Sequence, residues 1–119
     1  MGNLLFSWTN DIEIRNLGYL HDIGYGLSIE TPKDHNRIGG LFLKKCFYNY
    51  WEEVFYHGEI DPSYESKSLI LLNKADLQVD RCGNLVSPIE RLKDIGNRHG
   101  ITSMAYKNAN ILAKKLKLV

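Results

Sequence analysis

His21 and Asp22 stand side by side at the end of an apolar pattern, Ile12, Ile14, Leu17 and Leu20, and just ahead of Ile23–Gly24. An imidazole and a carboxylate in adjacent positions, where a helix meets a glycine-relaxed turn, can converge on one divalent cation. Imidazole suits borderline metals and carboxylate the harder ones. The same dipeptide also fits a capping Asp beside a surface His. Asp76 is a second anomaly, inside the apolar run LILLNKAD that ends on it. At ~100° per residue it projects ~20° from Leu69 and ~40° from Leu72. An ionised carboxylate on a core-facing stripe is costly unless it is paired or coordinated. Either a salt bridge to Arg91 or Arg98, or a metal ion, relieves that cost. The two anomalies need the same remedy, a cation.

Other side chains can join such a site. His35 follows the Thr31–Pro32–Lys33–Asp34 turn, and His57 ends the aromatic segment Phe55-Tyr56-His57 before Gly58. Each reads as a site residue or as a capping, half-exposed structural His. Lys74, two residues before Asp76, either offsets phosphate charge or faces solvent. His99, at a helix end, reads as structural.

The elements that must position these residues are helical nearly throughout. Asn10 is placed to cap a first helix with Glu13 at its third position, and Gly24–Tyr25–Gly26 to close that region. A long helix is expected from about His35 to Tyr56, and another from about Tyr64 to Val79. The tetrapeptide Ser87-Pro88-Ile89-Glu90 combines an N-cap Ser, a Pro at the first helical position and a Glu at the third, the strongest local signal in the chain. That helix should end at His99–Gly100. A last helix starts at Thr102 or Ser103 and ends among Lys114, Lys115 and Lys117, whose charge suits a helix C-terminus. The fold class is all-α.

The segment Leu20-His21-Asp22-Ile23-Gly24 resembles the signature of HD-domain metal-dependent phosphohydrolases. Leu72 to Gly100 is similar to the distal region of small stand-alone members, through Ala75–Asp76, Asp80, Gly83, Val86–Ser87, Glu90-Arg91-Leu92 and Arg98-His99-Gly100. The resemblance covers about residues 11–118. It implies a compact bundle of about five helices in one domain, residues 1–119, with an apolar segment at 1–9 and a helical core at 10–118. It also implies His21, Asp22 and Asp76 as ligands of a divalent metal, drawn from Mn, Fe, Mg, Ni, Co and Zn. The metal would lower the pKa of bound water for attack on phosphorus. Asp22 would share in catalysis, with His35, His57 and Lys74 completing the shell or contacting phosphate. The expected substrate is a nucleotide or related phosphate ester. The patterns HHExxDGxGYP and HDxxED, which mark cyclic-di-GMP phosphodiesterases and alarmone hydrolases, are absent.

One departure stands out. In the family the first ligand is a His on a helix well upstream of the central pair, and none of the 20 residues before His21 is His. The chain is expected to begin inside the usual domain, as a fragment or a natural short form with an incomplete site, and His35 or His57 is a candidate substitute for the third ligand. Three protein ligands with an open position make a workable site, whereas two hold metal poorly. Residues 1–9 look too short for a full helix plus turn. Leu4, Leu5, Phe6 and Trp8 would then cover exposed core or meet a second copy of the chain.

Composition narrows the field further. With 119 residues, 44% hydrophobic and 24% charged, the chain is an ordinary globular domain. A net charge of +1 gives little drive toward nucleic acid or anionic membrane. No apolar run approaches the ~18 residues of a membrane span, and the opening residues do not form a secretory signal. Cys46 and Cys82 lack zinc-site or disulfide-framework spacing, which favours a reducing cytoplasm. Motifs of P-loop NTPases, serine-hydrolase elbows and zincins are absent. The alternative to an enzyme is an HD-like binding or interaction module that has lost catalysis along with its first ligand.

Overall fold

In the computed structural model, residues 1–27, 35–80 and 82–119 are described. Eight α-helices occur among them: α1 (Gly2–Thr9), α2 (Ile12–Leu20), α3 (Ile23–Leu27), α4 (His35–Lys45), α5 (Trp51–Tyr56), α6 (Lys67–Asp76), α7 (Pro88–His99) and α8 (Met104–Lys115). The only β pairing among the described residues is an isolated antiparallel bridge between Val79 and Leu85. The all-α class holds. The expected five helices become eight because the helix expected over 35–56 divides in two, the turn expected at 24–26 is helical, and the N-terminal segment is itself helical.

Residues 1–9 were expected to be too short for a full helix plus turn, yet Gly2–Thr9 forms a helix of eight residues against α2 and α6. Close approach makes this workable: a Cβ on Gly18 would lie 2.7 Å from the Gly2 backbone. Leu5 is thereby fully buried, while Trp8 stays 41% exposed. Asn10, the expected N-cap of α2, instead closes α1 with a left-handed φ of 54°. Asp11 is the cap, its carboxylate accepting from Glu13 N at 2.8 Å.

The expected helix from His35 to Tyr56 breaks after Lys45. Phe47 takes a left-handed φ of 59°, and the chain re-enters helix at Trp51. The helix expected from Tyr64 starts later, at Lys67, because Ser66 caps it. Ser66 accepts from Leu69 N and donates to the buried Glu53 carboxylate, which also accepts from Tyr64. The Ser87 cap is as expected, its hydroxyl accepting from Glu90 N at 3.1 Å, and Gly100 closes α7 with φ 90°. Ser103 caps α8 in the same way.

Two apolar clusters result. One joins Leu5, Ile14, Leu17, Leu43, Val54, Leu72 and Ala75, and so packs α1, α2, α4, α5 and α6 together. The other joins Leu77, Leu92, Leu112 and Ala113, which couples the α7–α8 hairpin to the end of α6. No helix among the described residues is long and apolar enough to cross a membrane.

Candidate metal centre

His21 directly follows α2, and its Nδ1 lies 2.7 Å from Gly18 O. His57 directly follows α5, and its Nδ1 lies 2.6 Å from Val54 O. A backbone carbonyl only accepts, so each ring carries a proton on Nδ1 and presents Nε2 to the interior. Both Nε2 atoms are buried and make no hydrogen bond of acceptable geometry. Histidines held through Nδ1, with Nε2 turned toward a carboxylate, are oriented as metal ligands usually are.

Asp22 is the hub. One carboxylate oxygen, Oδ2, lies 3.1 Å from His21 Nε2. The other, Oδ1, lies 3.2 Å from His35 Nε2 and 3.4 Å from His57 Nε2. Asp76 closes the far side, with Oδ1 at 3.6 Å from His21 Nε2. The ligand atoms of His21, Asp22 and His57 all lie within 4.8 Å of one another, the spacing that a shared cation requires.

Local packing explains why residues so far apart in sequence meet. The expected glycine-relaxed turn at Gly24–Tyr25–Gly26 is helix α3, and Gly24 serves close approach instead. A Cβ there would fall 1.7 Å from the carbonyl oxygen of His35, so no other residue lets α3 and α4 meet this closely. The turn expected at residues 31–34 lies outside the described residues. Tyr25 stacks on the His35 ring at 4.0 Å and 10°. Asn36 donates to Phe55 O and to Glu59, pinning the start of α4 to the segment that carries His57. Asn73 accepts from Gly58 N and fixes that segment to α6.

The electrostatics follow from this crowding. Burial disfavours a charged His21, but the Asp22 and Asp76 carboxylates outweigh it and raise its pKa to about 10. Partial desolvation pushes Asp22 upward, yet His21, His35 and His57 hold it well below the usual carboxylate range. Asp76 is also pushed up by burial and held down, chiefly by His21. Without a metal, the cluster binds a proton where a divalent cation would supply the positive charge.

Arg91 accounts for the other side of Asp76. Its Nε donates to Asp76 O at 3.1 Å, and Nη2 lies 3.9 Å from the Asp76 carboxylate. The salt-bridge and metal readings of Asp76 are therefore compatible in one geometry. Lys74 does not fit its expected role. It lies outside the cavity that contains the cluster, because two residues along a helix is a rotation of ~200° away from Asp76.

That cavity has a volume of about 1020 Å³, and α7 and α8 form part of its wall. It is large enough for a small organic ligand. Tyr25, Asn73 and the wider role of Arg91 were missed from sequence, and Arg98, the other expected partner of Asp76, pairs with Asp94 instead. Asn73 had a readable signal, since a polar residue three positions before Asp76 shares its core-facing stripe. His99 borders the cavity as well, although it reads as structural from sequence. Comparison with protein-family models, curated proteins and solved structures finds no match to this chain.

Proposed function

We propose that this chain is an HD-type metal-dependent phosphohydrolase acting on a nucleotide or related phosphate ester. The observation that carries the reading is the convergence of the buried Nε2 atoms of His21 and His57 on the Asp22 carboxylate, beside Asp76. The donor chemistry, imidazole nitrogens with carboxylate oxygens, suits Mn, Fe, Co, Ni or Zn, with Mg favoured only by the carboxylates.

The two Asp22 oxygens divide the donors into two groups. Oδ2 faces His21, which is next to Asp76, and Oδ1 faces His35 and His57. A carboxylate with donors on both oxygens supports one ion or two. In this reading His35 or His57 supplies the donor that the family resemblance assigns to an upstream His. A divalent cation there supplies Lewis acidity and lowers the pKa of water, which is what phosphate-ester hydrolysis needs.

The protein's own residues do the positioning. Gly18 O and Val54 O orient two imidazoles, and Arg91 steadies Asp76. The exposed free thiols of Cys46 and Cys82 support a reducing, cytoplasmic setting. The test is release of inorganic phosphate from a panel of nucleotides and phosphate monoesters by Mn²⁺-loaded protein. Turnover in the parent that is lost in Asp22→Ala supports the reading. A fully loaded parent that hydrolyses no member of the panel would contradict it and favour the interaction module.

A further inference from the structure

Arg98 lies seven residues after Arg91, which at helical spacing puts both on one face of α7. Both border the same cavity as His21, Asp22 and Asp76. Their situations differ. Arg91 is engaged by the Asp76 carbonyl, the Asp76 carboxylate and Asp94. Arg98 has one partner among the described residues, Asp94, at 3.2 Å through a single Nη atom. Its side chain is 29% exposed. A half-buried guanidinium, braced on one edge and open on the other, has donors left for an oxyanion.

Asp94 pairs with both arginines and so sets the orientation of the face. The positive charges of Arg98 and Arg91 also act on the Tyr25 hydroxyl, which places this face of α7 within electrostatic range of α3. The proposed chemistry does not use Arg98.

We propose that Arg98 binds a second anionic group of the substrate, separate from the phosphoryl group that reacts. The favoured substrates are then phosphate esters or anhydrides carrying another phosphate or carboxylate, and simple monoesters bind more weakly. Asp94 is a positioning residue for this subsite. The inference rests on the phosphohydrolase reading, because the metal centre must hold the first anionic group.

The test uses Mn²⁺-loaded full-length protein and two sets of non-hydrolysable probes. These are alkylphosphonates and ω-phosphonoalkanoates of matched chain length, two to six carbons, titrated by calorimetry. Metal content is measured in every sample. At least one phosphonoalkanoate should bind the parent roughly tenfold more tightly than its alkylphosphonate partner. Arg98→Gln should remove that preference with metal content unchanged, and Arg98→Lys should keep part of it. The subsite is overturned if a loaded parent shows no preference at any length, or if the preference survives Arg98→Gln. A parent that takes up no metal would overturn the phosphohydrolase reading itself, and this inference with it.

Discussion

Asn73 accepts a hydrogen bond through Oδ1 from Gly58 N at 2.8 Å, so the residue after His57 is tied to the helix that ends in Asp76. Asn73 is buried and is not one of the clustered His and Asp side chains. Its work is to keep His57 and Asp76 in one frame.

Asn73→Ala therefore leaves Gly58 N without its acceptor in a partly buried place. The expected cost is about 1–3 kcal/mol of stability. Metal affinity should fall roughly tenfold, as it does when residues that orient ligands are lost. Chemical denaturation and metal titration measure the two effects. Asn73→Asp, which keeps an oxygen at that position, should retain more affinity than the alanine variant.

Gly24→Ala tests the close approach of α3 to α4. An added methyl meets the backbone carbonyl of His35, which cannot swing aside as a flexible side chain can. The variant should lose about 2 kcal/mol or more. It should also lose metal, because α4 has to move and carries His35 away from Asp22. A variant as stable as the parent would contradict the packing described.

Much of this arrangement was legible in sequence, and the limit has a physical origin. His21–Asp22, the core-facing Asp76 and the Ser87 cap are local signals, and they depend on periodicity and short-range capping. The meeting of His35 and His57 at Asp22 is long-range. It depends on the helix break at Phe47 and on Gly24 fitting against His35, and neither has a distinctive local signature. The Asn10 cap failed for a related reason. Asn10 was spent on closing α1, in a segment read as too short for a full helix plus turn. Lys74 was chosen by its closeness to Asp76 in sequence, although helical rotation turns it away.

Lys74→Ala should leave metal content and phosphate release unchanged, since this side chain does not border the cavity. Arg91→Ala should do the opposite. It removes the donor to Asp76 O and a guanidinium 3.9 Å from the Asp76 carboxylate, and should destabilise the end of α6 by about 1–3 kcal/mol. Metal content, phosphate release and denaturation curves of the two variants check both statements.

Proton linkage gives a further expectation. In metal-free protein the His21 pKa is raised from 6.5 to about 10. A raised imidazole pKa favours the folded state fully below pH 6.5, and the contribution fades as pH rises through about 10. Metal-free protein should accordingly lose stability over that interval. Near neutral pH, metal uptake should release about one proton, from His21. Calorimetry in buffers of different ionisation enthalpy reads this release, and its absence would show that His21 is already neutral.

The central claim is that His21, Asp22, His35, His57 and Asp76 together hold a divalent cation. Its most direct test is elemental analysis of protein purified without chelators or metal-affinity resin and then equilibrated with Mn²⁺ or Ni²⁺. The parent, Asp22→Ala and Asp76→Ala are compared, with folding of each checked by circular dichroism. The account predicts at least one ion per parent chain, near-complete loss in Asp22→Ala and a marked fall in Asp76→Ala. A folded parent without metal, or equal metal in all three proteins, would contradict it.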